Sequence, residues 1–221
     1  MLLLIAGGHY TGVQSVSERL RDSFAVLFPK SNIKIINLDH NKEYLCPASR
    51  VQKKYNNEDY DFEAVYQEIT HGKQADNSSS TIDITIVCGC YALYDSQINK
   101  LASLKVFIDS DGDVRLIRTI RKENVNSPEQ LASTLNEYLE NLRPEMEEYI
   151  VPTRNKADLI IPCSNEESGT AIIVDGIMKL VDQGNNGPES KESIKAKARQ
   201  QLYNFQGETM DLQRDRYYDL S

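Results

Sequence analysis

At 221 residues, with 40% hydrophobic and 26% charged side chains, the chain has the balance of a globular α/β domain with room for a sizeable core. Twenty-five Lys and Arg against 33 Asp and Glu leave a net charge of −8, which opposes binding to a nucleic-acid backbone. No apolar run approaches the ~20 residues of a membrane span, and the opening apolar stretch is short and lacks the basic flank of a secretory leader, so no membrane partner and a cytoplasmic setting (the nucleus also open) are expected.

The expected elements alternate between two periods. Residues 2–6 are unbroken apolar sequence closed by Gly7-Gly8, the pattern of a strand buried on both faces. After Gly12, Val13, Val16, Leu20, Phe24 and Leu27 recur at three- and four-residue steps, which predicts an amphipathic helix ended by Pro29. Ile33, Ile35, Ile36 and Leu38 predict a second buried strand ending at Asp39. A polar stretch leads to a helix over 61–70, with Phe62, Val65, Tyr66 and Ile69 on one face, and a polar connector over 72–81 follows. Strands are expected at 82–87 and 104–108, and helices at 114–120 and 128–142, the latter opened by Ser127 as N-cap. A fifth strand at 159–161 is closed by Pro162; a sixth, short strand at 171–174 and a closing helix at 176–181 complete the domain, assigned to residues 1–182. Residues 183–221 read as a polar extension: a linker at 184–188, a short basic helix within 190–203, then a solvated tail.

Strands alternating with helices imply a doubly wound parallel sheet with helices on both faces, whose ligands sit beyond the C-terminal strand ends. The four cysteines (Cys46, Cys88, Cys90, Cys163) and three histidines (His9, His40, His71) share no metal-ligand spacing, so no metal site is expected and the cysteines read as strand or loop filler.

Beyond the first strand, Gly7-Gly8-His9-Tyr10-Thr11-Gly12 leads into a helix, the setting of a phosphate-binding loop. Main-chain N–H groups and the positive end of the helix can hold an anion there unaided. The next residues of such a loop are normally Lys and then Ser or Thr; here they are Val13 and Gln14. Ser15 does not simply substitute, because one helical step rotates a side chain by ~100°. By spacing alone, an ordinary tight strand–helix turn fits equally well.

Further along, Lys105-Val106-Phe107-Ile108-Asp109-Ser110-Asp111-Gly112-Asp113-Val114-Arg115-Leu116-Ile117-Arg118 and the ungapped stretch from Arg143-Pro144-Glu145-Met146 through Ala157-Asp158-Leu159-Ile160-Ile161-Pro162 resemble the uridine kinase family. With the glycine loop, the resemblance spans about residues 2–182, and it looks nearest to divergent fungal members. It implies a P-loop kinase-like fold and transfer of the ATP γ-phosphate, with Mg²⁺, to the 5′-hydroxyl of uridine or cytidine in pyrimidine salvage.

Carried over residue by residue, the resemblance makes Asp39 the expected general base and residues 7–15 (Gly7, Gly8, His9, Tyr10, Thr11, Gly12, Val13, Gln14, Ser15) the nucleotide-binding loop. Arg118, Arg121 and Lys122 would meet phosphates from the lid, although a charged solvent face is the plainer reading of the last two. Tyr55, Asp59 and Asp61 fall in the segment that meets the ribose; which aspartate does so stays open, and Asp61 also suits a helix cap. Three departures stand out. The loop lysine and hydroxyl are missing, the strand-three carboxylate that helps hold Mg²⁺ is replaced by Cys88, and the hairpin that holds the pyrimidine is reduced to a polar connector. Cysteine is a poor ligand for so hard a cation. The expectations are therefore weak or lost transfer with retained binding of a nucleotide or phosphate, with or without Mg²⁺; an active divergent kinase using substitute arginines; or a non-catalytic partner of an active family member. Homo-oligomerisation is a further expected partnership.

Overall fold

The computed structural model of the protein describes residues 1–29, 31–71 and 83–185. Five strands, β1 (Leu2–Gly7), β2 (Asn32–Asn37), β3 (Asp83–Cys88), β4 (Leu104–Asp109) and β5 (Leu159–Pro162), form one sheet in the order β2-β3-β1-β4-β5. All neighbours are parallel. The glycine-closed apolar run becomes the central strand, and every residue of β1 is buried, as a strand with two neighbours and two covered faces requires. In register, Ile5 stands beside Cys88 on one side and Val106 on the other, and Gly7 beside Ile108. The C-terminal ends of β1, β3 and β4 therefore open onto one edge, where the chain order reverses and ligand crevices form.

Helices α1 (Val13–Leu27), α2 (Phe62–His71), α4 (Gly112–Lys122) and α5 (Pro128–Glu137) lie where the sequence places helices, whereas the short α3 (Ser96–Leu101), between β3 and β4, is not among the expected elements. Ser127 caps α5 by accepting from Gln130 N at 3.2 Å. The predicted 128–142 helix does not stop there. It continues through a wide turn (Tyr138–Leu142), a single α turn α6 (Arg143–Glu145), a second wide turn (Met146–Ile150) and a tight 3₁₀ stretch (Val151–Lys156). Pro144 lacks an N–H, and wide turns around it relax the ordinary ladder without ending the helix.

Two expectations are corrected. The second strand is not buried on both faces: β2 is an edge strand pairing only with β3, and Asn32 and Lys34 are exposed. The predicted strand at 171–174 is helical and lies inside α7 (Glu166–Asn185). Its burial has a period near four rather than two: Ile173 and Ile177 are 1% and 0% exposed, while Ile172 is 41% exposed. Among the described residues the sheet accordingly has five strands.

The chain divides into two compact units, Met1–Thr170 and Ala171–Ser221. The first holds the sheet, α1–α6 and the start of α7; the described part of the second is the remainder of α7. The 72–81 connector, Ile82, most of the 184–188 linker, the basic segment at 190–203 and the tail lie outside the described residues. Among the described residues, no helix is long and apolar enough to cross a membrane.

Candidate functional site

The loop between β1 and α1 is held by its own backbone. Thr11 donates to Gly8 O through both N (3.2 Å) and Oγ1 (2.7 Å), folding the loop over on itself. Gly7 must lack a side chain, because a Cβ there would lie 2.8 Å from Val13 Cγ2 and 2.9 Å from Ile108 O. Gly12, at the N-cap of α1, takes φ 93°, and no side chain caps the first turn. The helix therefore presents uncapped N–H groups beside the loop, a geometry suited to an anion.

Positions 13 and 14 turn away from that role. Val13 is buried, and Gln14 is exposed and donates through Nε2 to Glu18 Oε1 at 2.8 Å. Ser15 is half-buried and, with Tyr10, Gly12, Gln14, Glu18, Arg118 and Lys122, lines an open cleft of about 330 Å³. Tyr10 also stands in the left-handed region, at φ 61°. It is held there by α4: its hydroxyl donates to Glu123 Oε1 at 2.9 Å and Lys122 Nζ lies 5.5 Å from the ring centroid. Burial, reinforced by Glu123, raises the Tyr10 phenol to about 12.

Arg118 reaches the loop from its carbonyl side. Its Nη1 donates to Thr11 O at 3.0 Å and Tyr10 O at 3.4 Å, its Nη2 to Cys163 O at 3.2 Å, and Glu166 Oε1 lies 3.5 Å from Nη1. A cation is thus bound to the loop where the lysine is missing, with an acidic partner beside it. Glu166 also explains Gly12, since a Cβ there would meet its Oε1 at 2.7 Å. Arg121 is exposed on α4.

On the opposite side of the loop, His9 bridges three elements. Its Nε2 lies 2.7 Å from Glu145 Oε2 and its Nδ1 3.5 Å from Cys90 Sγ, while Tyr91 OH donates to Glu145 Oε1 at 2.9 Å. Met146 covers Gly8: a Cβ there would lie 2.7 Å from its Sδ. Asp39, just beyond β2, accepts from Cys90 N at 3.1 Å and from Tyr60 OH at 3.2 Å. Gly89 (φ 142°) makes that approach possible, because a Cβ there would lie 3.0 Å from Asp39 Oδ1. Burial, then Asp39 and Glu145, push the Cys90 thiol well up; burial first, then nearby carboxylates, raises the phenols of Tyr60 and Tyr91. Cys88, at the position of the expected Mg²⁺-holding carboxylate, is a buried thiol raised by burial to about 12.

The remaining expected residues are occupied locally. Asp59 is 2% exposed and accepts from Lys54 N and Tyr55 N at 2.9–3.0 Å, closing the turn that precedes α2. Asp61 caps α2, accepting from Ala64 N at 3.0 Å. Tyr55 donates its hydroxyl to Glu137. From sequence alone, Glu145, Tyr91, Met146 and Glu166 carry no expected role, and Cys90 reads as filler. The available signal for Glu145 was an acidic residue on the inner side of a helical run; for Cys90, only its place just past a buried strand.

Comparisons with known proteins bear on the family and the fold. The profile of the "Phosphoribulokinase / Uridine kinase family" matches residues 50–169. "Putative uridine kinase DAS2" of Saccharomyces cerevisiae is 47% identical over 229 aligned positions, covering 100% of this chain and 96% of that protein. A uridine kinase of Lactococcus lactis is 28% identical, covering 73% of this chain and 87% of its own. Among solved structures, the "putative fructose transport system kinase" of a Silicibacter species superposes with a TM-score of 0.51 at 16% identity, over 73% of this chain and 89% of that one, a likeness of fold. With the five-stranded parallel sheet and the glycine loop at its switch point, these findings show that the chain belongs to the phosphoribulokinase/uridine kinase family and has its P-loop kinase fold.

Proposed function

We propose that this protein binds a nucleotide or polyphosphate at residues 7–15, and that its transfer of phosphate from ATP to the 5′-hydroxyl of uridine or cytidine is weak or lost. The observation that carries this reading is the fate of positions 13 and 14: one is a buried valine, the other an amide committed to Glu18. Phosphoryl transfer rests on positioning and charge neutralisation. Removing one preorganised charge stabiliser commonly costs ~3 kcal/mol, about a hundredfold in rate, although such losses do not simply add.

Mg²⁺ does not fit the side chains present. Among the described residues, no group of three His, Cys, Asp or Glu is placed to hold a metal ion, and the expected oxygen ligands are a thiol at Cys88 and an amide at Gln14. Asp39 is the candidate base for an acceptor hydroxyl, held in place by hydrogen bonds from Cys90 N and Tyr60 OH.

Purified protein given labelled ATP with uridine or cytidine should yield no UMP or CMP above background, while ATP should raise the melting temperature equally with and without Mg²⁺. Turnover at the ~1 s⁻¹ of an ordinary kinase would refute the reading. Arg118 favours a second reading, in which its guanidinium replaces the lysine. Turnover that disappears in Arg118→Ala would establish it.

A further inference from the structure

His9 is an unusual loop residue because both of its ring nitrogens are committed inward. Nε2 faces a carboxylate that is itself 4% exposed, and Nδ1 faces a thiol on the residue after Gly89. Among the described residues, Glu145 pairs with no cation other than this imidazole; its second oxygen is taken by the neutral Tyr91 hydroxyl. We propose that His9 is the loop's titratable charge: binding of a phosphate-class anion at residues 7–15 is coupled to protonation of His9, with Glu145 as its fixed counter-ion. The proposal rests on the anion-binding reading of the loop.

The hydrogen bonds accommodate both states of the ring. With Glu145 ionised, Nε2 carries a hydrogen in each. When the ring is neutral, the Cys90 S–H donates to Nδ1; when it is charged, both nitrogens donate and the sulfur accepts weakly. The raised thiol keeps Cys90 a donor rather than a thiolate, so the cluster is not a nucleophile and its base.

Three carboxylates surround this side of the loop: Glu145 from α6, Asp39 reached through Cys90 N, and Glu137 bonded to Tyr55. Three cations oppose them: Arg115 against Gly8, Arg118 on the loop carbonyls, and Lys53, whose charge reaches Cys90. A neutral His9 leaves the His9–Glu145 pair at −1 beside the anion site, and a protonated one brings it to zero. Imidazole changes charge between pH 5 and 8, so an incoming anion should draw a proton onto the ring.

The test is calorimetric titration of the protein with pyrophosphate from pH 8 to pH 6, alongside His9→Gln, which keeps a donor for Glu145 but cannot charge. The ligand's own titration cancels in the ratio of the two affinities. That ratio should move about tenfold in favour of the histidine as pH falls. Independently, titrations of the unaltered protein in two buffers of different ionisation enthalpy should show proton uptake beyond that of pyrophosphate itself, which keeps the proposal testable if the variant fails to fold. A flat ratio, or no excess proton uptake, overturns the proposal and leaves the anion site standing. Absence of pyrophosphate binding at every pH in the unaltered protein overturns both.

Discussion

Tyr10 and Gly12 both hold left-handed backbone, at φ 61° and 93°, and they show two ways a loop can meet that cost. Gly12 has no Cβ to strain. Tyr10 is strained by roughly 1 kcal/mol and is held by Glu123 and Lys122. Gly12→Ala should therefore lower stability by about 1–2 kcal/mol in urea denaturation, since it adds left-handed strain to a contact with the Glu166 carboxylate. Removing that carboxylate in the double variant Gly12→Ala/Glu166→Ala should recover part of the loss. Val13→Lys restores the loop's missing charge but removes a buried side chain. Its expected outcome is ATP affinity higher by about tenfold with a lower melting temperature, read in one thermal-shift titration. Unchanged affinity would mean that the loop cannot present a lysine to the phosphates.

At the scale of the element, α2 depends on the side chain that sequence alone left between two roles. Asp61 accepts from Ala64 N, so Asp61→Ala should cost about 1 kcal/mol in chemical denaturation, whereas Asp61→Ser, another good cap, should cost only a few tenths. An equal loss in both variants would argue against capping. The helical run after α5 offers the larger lesson. Residues 128–142 are legible as a helix from their period, but the two wide turns around Pro144 are not, and those turns bring Glu145 to His9 and Met146 over Gly8. Apolar runs were legible as ordered elements but not always as the right kind. Residues 171–174 are short, apolar and β-branched, so they match a buried strand; a helix long enough to place Ile173 and Ile177 on one stripe prevailed.

For the molecule as a whole, the buried acids set the alkaline limit of stability. Cys88 rises from 9.0 to about 12 in the fold, and Cys90, Tyr60 and Tyr91 also rise, each chiefly through burial. A raised folded-state value means that the unfolded chain gives up its proton first. The stabilisation is fully present below about pH 9 and declines as pH climbs from there towards 12. Melting temperature should hold through neutral pH and fall steeply above about pH 9; a flat profile to pH 11 would show that these groups do not govern it.

The sequence by itself determined most of the alternation of strand and helix, the doubly buried first strand and the glycine loop beyond it, because hydrophobic period and glycine spacing are local properties of a chain. Through motif resemblance, it also reached the family. Only the tertiary structure decided that β2 is an edge, that Asp59 closes the turn before α2 while Asp61 caps that helix, and that His9, Cys90, Tyr91 and Glu145 meet. His9 and Glu145 stand 136 residues apart, and no local pattern records which side chains a parallel sheet brings to one edge.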